Sequence, residues 1–456
     1  MDGEGQVQQG GDPTETPTMR RHLIVGDTPE ARRTCAALIA RGDEVVHLRS
    51  PSDSDLSEVL DQRVSSLAVL LHSDTQALRY CLSAEHLRPG LPMFVALFDK
   101  TVADQLVAVV PNCRVMSPAD VALPSLVAAC LSDELVGATR DGERWMAHPR
   151  AGGAPVPLHL SRRQRMDARV GIALGQLRPH DSGSRILLAG AVGILLILGV
   201  DTVLGLSVLH ESAVAAFQGA ARTIATVGPA VVEPERASYM IFAALAMLIT
   251  IGLTAMFTAG IVEHLLSGRY VGLVGRRVLP QRGHVVVVGM GQVGVRLAAE
   301  LKALGLGVVG IERDVSAPNL VTARALGIPV HIGDAARRRV LRRVRADRAV
   351  ALCAAGSDEL DNVAVAVTAR AVSPTLRVVL RAGNHDVITE TQSLFRIGTV
   401  CDVTGLTACY VVHSLLDQAP AAVFSQESGV VVVDEAGVRR REPQVVRDCG
   451  HPLEGR

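Results

Sequence analysis

The chain has 456 residues, with 46 basic and 46 acidic side chains for a formal net charge of zero, and is 48% hydrophobic but only 3% aromatic. That length allows two or three domains. Zero net charge gives no reason to expect a polyanion as global partner, and so few aromatic rings argue against a base-stacking surface, so no nucleic-acid partner is expected. The eight cysteines are scattered without Cys-x-x-Cys or Cys/His ligand spacing and read as buried small hydrophobes in a reducing compartment.

Residues 1–19 are polar and rich in Gly, Gln and Pro, which predicts a disordered tail; no apolar core follows a basic start, so a signal peptide is not expected. Residues 20–140 alternate short apolar runs with helical stretches. Strands are expected near 22–25, 44–48, 67–71, 93–97 and 114–116, with helices to about residue 41, over 76–85 and over 121–131. Alternation of this kind predicts a doubly wound parallel sheet. Residues 141–184 read as a linker rich in Arg, Pro and Gly.

Two apolar segments follow, at 186–209 and 239–266, within a membrane module over 185–267. Each exceeds the roughly 20 helical residues that cross a hydrocarbon core. Arginines crowd the outer flanks of the pair, including Arg162, Arg163, Arg169, Arg276 and Arg277, while the loop between carries few. The positive-inside rule then predicts a multi-pass protein of the cell membrane with both soluble parts in the cytoplasm. Asp201, late in the first span, is either a functional intramembrane carboxylate or a residue near the outer interface. Gly252, midway along the second, is either a hinge or a point of close helix packing.

Residues 212–230, between the spans, read as a pore loop. Thr226-Val227-Gly228 resembles the start of the potassium-channel filter TVGYG, whose backbone carbonyls replace the hydration shell of the ion. The pattern then departs, because Pro229 stands where Tyr is expected and Ala230 where the second Gly is. Proline fixes its own φ and drives Gly228 toward extended geometry, so an unmodified potassium filter is not expected.

The second soluble part, 283–456, starts with the apolar strand 284–288 and runs into Gly289-x-Gly291-x-x-Gly294 at the start of a helix, and the next strand ends at Glu312. Those glycines let a pyrophosphate approach the backbone at a helix N-terminus, and the carboxylate suits ribose hydroxyls. Strand–helix packing alone would also use the glycines. Further strands are expected at 330–332, 349–353, 377–380, 399–401 and 429–434, with a helix over 404–416. When Gly26 is laid on Gly289, Arg49 falls on Glu312, and the two soluble parts read as copies from an internal duplication. The first copy lacks both the carboxylate and the later glycines, so a structural or dimerising role is expected of it.

The glycine fingerprint, Ile311-Glu312-Arg313-Asp314, Gly333-Asp334-Ala335 and Asp358-Glu359-Leu360 with Asn362 together resemble the regulator-of-potassium-conductance domain, also found in Trk-type potassium uptake regulators. The resemblance covers about residues 283–416. It implies a Rossmann-like lobe binding NAD(H) or another adenine nucleotide through Gly289, Gly291, Gly294, Glu312 and Asp334, and gating rings beneath a homotetrameric pore. The whole chain resembles a two-span potassium-channel-like protein with such domains before and after the pore module. A ligand-gated cation channel passing a monovalent cation, with no catalytic residues, is the leading expectation. A non-conducting membrane-anchored nucleotide sensor or regulatory subunit is the alternative, motivated by Pro229 and Ala230. An NAD-dependent oxidoreductase would need an acid/base residue beside the nicotinamide, and none stands out.

Overall fold

The computed structural model describes residues 19–142, 144–176, 182–227, 237–266, 279–383, 398–418, 420–426, 429–443 and 449. The expected tail, up to residue 18, and three filter-region residues, Gly228, Pro229 and Ala230, lie outside this set.

The first unit is a five-stranded parallel sheet of β1 (Arg21–Val25), β2 (Glu44–Leu48), β3 (Ser66–Val69), β4 (Met93–Ala96) and β5 (Cys113–Met116), in the order β2-β1-β3-β4-β5. Its helices are α1 (Pro29–Ala40), α2 (Asp53–Leu60), α3 (Asp74–Leu87), α4 (Lys100–Val109) and α5 (Pro118–Leu131). Side-chain caps set several helix starts. Ser52 and Asp55 form a capping box on α2, and Ser73 and Asp99 cap α3 and α4.

Residues 141–184, expected as a linker, are largely structured. The antiparallel strands β6 (Leu135–Asp141), β7 (Arg144–Pro149) and β8 (Val156–Pro157) are followed by helix α6 (Arg162–Gln176). Next come α7 (Ser182–Ser207), α8 (Ala213–Ile224) and α9 (Ala237–Leu266).

The second unit has six parallel strands: β9 (His284–Val288), β10 (Gly307–Glu312), β11 (Val330–Ile332), β12 (Ala351–Ala354), β13 (Arg377–Ala382) and β14 (Thr399–Asp402). Their order is β11-β10-β9-β12-β13-β14. Runs such as His284-Val-Val-Val-Val are apolar without alternation, as strands covered on both faces require. The helices are α10 (Gln292–Ala303), α11 (Asn319–Ala325), α12 (Arg338–Arg343), α13 (Glu359–Val372) and α14 (Val403–Leu415). Where a single strand is expected near 429–434, three form an antiparallel sheet: β15 (Ala422–Gln426), β16 (Gly429–Val433) and β17 (Arg439–Glu442).

Each parallel sheet buries one face under its own helices and the other under one of its own helices together with a helix from the opposite unit. Leu23, Val25, Leu67 and Val95 pack among Leu56, Ala77 and Leu106, all of the first unit. The reverse face, with Ile24, Ala68, Leu70 and Phe94, lies against α1 and against Val411, Val412 and Leu415 of α14. Reciprocally, Val285, Val287, Cys353 and Val379 lie against α10 and against Ala122, Leu126, Val127 and Cys130 of α5. Helices α5 and α14 are therefore apolar around most of their circumference, since both sides of each are covered.

Helices α7 and α9 pack side by side. A Cβ on Gly190 would come to 2.9 Å from the Leu253 carbonyl oxygen, and one on Gly260 to 2.6 Å from Leu187 Cβ. Gly252 has nothing within 4 Å of its Cβ position, so it makes no close helix contact among the described residues. Two stretches, Arg185–Ser207 and Ser238–Glu263, are long and apolar enough to cross a membrane. Most of their surface is uncovered, with Leu195 65% and Leu248 67% exposed, unlike a core helix of a soluble domain.

Candidate functional site

Three segments of the second unit meet at the C-terminal ends of its strands, where the order turns from β9 to β12. This reversal is where open α/β sheets take ligands. Gly289, with φ +84°, makes the sharp exit from β9, and a Cβ there would fall 2.8 Å from Gly356 Cα just after β12. Asn362 holds the second backbone in place: its Oδ1 accepts from the Gly356 amide, and its Nδ2 donates to the carbonyls of Gly356 and Arg381. Gly294 has a different constraint. Its Cβ would sit 1.9 Å from the Gly289 carbonyl oxygen, so α10 can lie this close to its own turn only without a side chain there.

Gly291 is the N-cap of α10, with φ −72° and ψ −167°, and open space surrounds its Cβ position. No side chain caps this helix, and no acidic residue stands in its first turn. Its first amides need acceptors, and the dipole there favours an anion. The corresponding helix in the first unit is closed off. Thr28 Oγ1 accepts from the Ala31 amide and donates to the Leu70 carbonyl, Pro29 brings no amide proton, and Glu30 supplies negative charge. A Cβ on Gly26 would meet the Leu70 carbonyl oxygen at 2.0 Å. Arg49 reaches Asp27 at 3.7 Å, and Asp27 also accepts two hydrogen bonds from Arg32.

Glu312 turns back over the glycine loop. Its Oε2 accepts from the Met290 amide at 2.8 Å, and its Oε1 from the amides of Arg313 and Asp314 at 2.7 and 3.1 Å. A carboxylate has about four acceptor positions. Three are used, which fixes the group and leaves Oε2 open to one hydroxyl donor. Asp334 lies beside it at the same sheet edge, since Glu312 registers with Ile332 and its carbonyl accepts from the Gly333 amide. Asp334 accepts from the Ala336 amide and from Arg337 Nε, each at 3.0 Å. Burial, with Arg343 nearby, pushes the His331 pKa down to about 4, so this strand adds no positive charge at neutral pH. The structure thus brings Gly289, Gly291, Gly294, Glu312 and Asp334 to one crevice.

Two features of that crevice are additional to the fingerprint. Gly356 is the backbone that Gly289 meets, and its cue is a glycine directly after a buried strand. Arg313 and Asp361 form a 3.0 Å ion pair that joins the end of β10 to the first turn of α13. Lying in separate charged runs far apart in sequence, Arg313 and Asp361 give no sign there of that pairing.

Between the two long apolar helices, α8 packs against the end of α7, where a Cβ on Gly205 would come to 2.8 Å from Ala216 Cβ. Its 12 residues span about 18 Å, short of a hydrocarbon core. Beyond it Thr226 takes a left-handed φ of 55°, and Val227 is 69% exposed. Asp201 is buried and accepts a 2.9 Å hydrogen bond from the Tyr239 hydroxyl, tying α7 to the start of α9.

Residues 285–397 match the TrkA-N domain family. Among curated proteins, the chain is 22% identical over 198 residues to potassium channel protein 1 of Methanocaldococcus jannaschii, covering 42% of this chain and 60% of that one. It is 30% identical over 146 residues to the chloroplastic K(+) efflux antiporter 2 of Arabidopsis thaliana, covering 30% and 12% respectively. An uncharacterized protein of Methanothermus fervidus is 28% identical over 208 residues, 43% of this chain and 31% of that protein. The matched stretches span less than two thirds of these relatives. Among solved structures, the GsuK RCK domain aligns over 90% of this chain and 80% of its own, with a TM-score of 0.49 and 15% identity. What these comparisons establish is a TrkA-N match for the segment that contains the glycine turn, Glu312 and Asp334.

Proposed function

We propose that the chain is a subunit of a nucleotide-regulated cation channel, with potassium as the cation it is built to pass. The observation that carries the nucleotide half is the uncapped N-terminus of α10, with Gly291 open above it and the Glu312 carboxylate held alongside. A pyrophosphate fits the amides, and a ribose hydroxyl fits the free direction on Glu312. The TrkA-N match supports this, and the channel relative supports the transport half. NAD(H) or another adenine nucleotide is the proposed ligand, acting as a regulator and not as a substrate.

The connection to the membrane helices supports regulation. Residues 279–283 lead from the α9 side into β9, and α6 precedes α7. The Gln281 amide donates to the Gly171 carbonyl at 2.9 Å, and Arg282 pairs with Asp167 at 3.2 Å. A ligand that favours one arrangement of the sheet therefore acts on both connectors, and it shifts an equilibrium by its differential affinity for the two states. In this reading both soluble units lie in the cytoplasm as a pair of regulator domains before and after the pore, and four chains supply the four loops of one pore in the cell membrane.

The second reading, a sensor that does not conduct, is favoured by Pro229 and Ala230. Flux through purified protein in liposomes under potassium and sodium gradients, with and without nucleotide, separates the two. Potassium flux that responds to NAD(H) or ADP supports the channel. Flux only in the Pro229→Tyr, Ala230→Gly variant supports the sensor, and calorimetry showing equal nucleotide affinity for the natural chain and Gly291→Asp removes both.

A further inference from the structure

Cys35, His47 and Cys449 come from α1, β2 and the C-terminal segment, yet their ligand atoms all lie within 4.8 Å of one another. Cys35 is buried, and Cys449 packs against the same apolar cluster as Ile24, Ala31 and Leu38. His47 Nε2 lies 2.7 Å from the Gly26 carbonyl oxygen. A carbonyl can only accept, so Nε2 carries the proton, and Nδ1 presents its lone pair. That lone pair faces Cys449 Sγ at 3.5 Å.

We propose that these three side chains form a Zn²⁺ site on the first parallel-sheet unit, with Cys449 as its ligand from far along the chain. Tetrahedral Zn²⁺ with Zn–S of about 2.3 Å and Zn–N of about 2.0–2.1 Å places a sulfur and a nitrogen ligand about 3.6 Å apart and two sulfurs about 3.8 Å apart. The Cys449–His47 separation is already at the first value, and the remaining gaps need only small rotamer movements. The Gly26 carbonyl is the outer partner that orients a metal-binding imidazole. On binding, each thiol gives its proton to solvent and each sulfur forms a bond to the ion. Two thiolates and one neutral imidazole balance the charge of Zn²⁺, so the buried complex is neutral. The fourth position is left to water.

The chemistry is peculiar to the first unit. When Gly26 is laid on Gly289, the positions matching Cys35 and His47 are Ala298 and Gly310. Ala298 is fully buried, and a Cβ on Gly310 would strike Met290 Sδ at 2.6 Å. The unit whose helix N-terminus is closed to anions thus carries metal ligands beside the same turn. A second group, Cys409, His413 and Glu442, also comes together, but its Glu442 is already hydrogen-bonded to His413 and it offers a single sulfur. Two sulfurs make the first group the better match for a thiophilic ion.

The test uses the full chain, purified in detergent under reducing conditions, stripped with chelator and titrated with Co²⁺ as a spectroscopic probe for Zn²⁺. One Co²⁺ per chain, with thiolate-to-cobalt charge-transfer absorption that Zn²⁺ abolishes, is expected. Cys449→Ser and His47→Gln should each weaken binding by more than about 100-fold, beyond the loss of an outer partner. Cys409→Ser should bind as the natural chain does, and circular dichroism checks that each variant is folded. Absence of the absorption, its survival in folded Cys449→Ser and His47→Gln, its loss in Cys409→Ser, or a Cys35–Cys449 disulfide found by mass spectrometry in the reduced preparation would overturn the site.

Discussion

Gly291 and Gly294 stand three residues apart in one turn and are glycines for different reasons. Gly294 must lack a Cβ because the Gly289 carbonyl oxygen occupies its place, whereas Gly291 has ordinary backbone angles and empty space before it. Gly291→Asp should accordingly fold with a stability change of about 0.5 kcal/mol or less, since Asp is at least as good an N-cap as Gly. It should nevertheless lose the proposed nucleotide binding, because the carboxylate would fill the place proposed for a pyrophosphate and take the amides itself. Gly294→Ala should cost about 1–3 kcal/mol through overpacking. Thermal unfolding and calorimetry on the two variants check this contrast, and equal destabilisation would refute it. The residue types of the site were legible in sequence because the fingerprint joins strand, turn and helix in a fixed spacing. What spacing could not show was occupancy: that Glu312 already holds three amides, or that Thr28 has closed the matching turn in the first unit.

Among the elements, α5 and α14 do most to join the halves. Their apolar runs are plain in sequence, and both read as helices there. Hydrophobic pattern tells that a face is covered but not by what, so their exchange between sheets was not legible. Each exchange is marked by an arginine on the helix after the glycine turn. Arg33 of α1 pairs with Asp402 at the start of α14 and donates to the Gly383 carbonyl. Arg296 of α10 pairs with Asp120 of α5 at 2.7 Å and donates to the Phe98 carbonyl. Their surroundings differ. The Arg33 and Asp402 side chains are 3% and 6% exposed, whereas that of Asp120 is 59% exposed. Asp402→Ala, which leaves a guanidinium buried without its partner, should destabilise the chain by about 3–5 kcal/mol. Asp120→Ala should cost no more than about 1 kcal/mol. Denaturant unfolding of the two variants checks the ranking, and a reversed order would mean that the buried pair does not secure α14.

At the scale of the whole molecule, the exchanged helices make the two parallel-sheet units mutually dependent, although more than 100 residues, with the long apolar helices α7 and α9 among them, separate them in the chain. Removing the first unit takes α5 with it, and uncovers the part of the sheet face around Val285, Val287, Cys353 and Val379 that α10 does not cover. At the same time α14 loses the surface formed by Ile24, Leu38, Leu70 and Phe94. A contiguous apolar surface of this kind is not left in water by a stable monomer. Residues 283–456 expressed alone should therefore associate, each copy seating its α14 where α5 belongs, because both helices are apolar on the sides they bury. Light scattering after size exclusion should give a dimer or larger species, and coexpression with residues 20–160 should convert it to a one-to-one complex. A monomeric 283–456 with the thermal stability it has in the full chain would show that the sheet does not need α5. The dependence also bears on the proposed regulation, since a ligand at the α10 turn would act on a surface shared by both units, through α10 against α5 and Arg296 against Asp120.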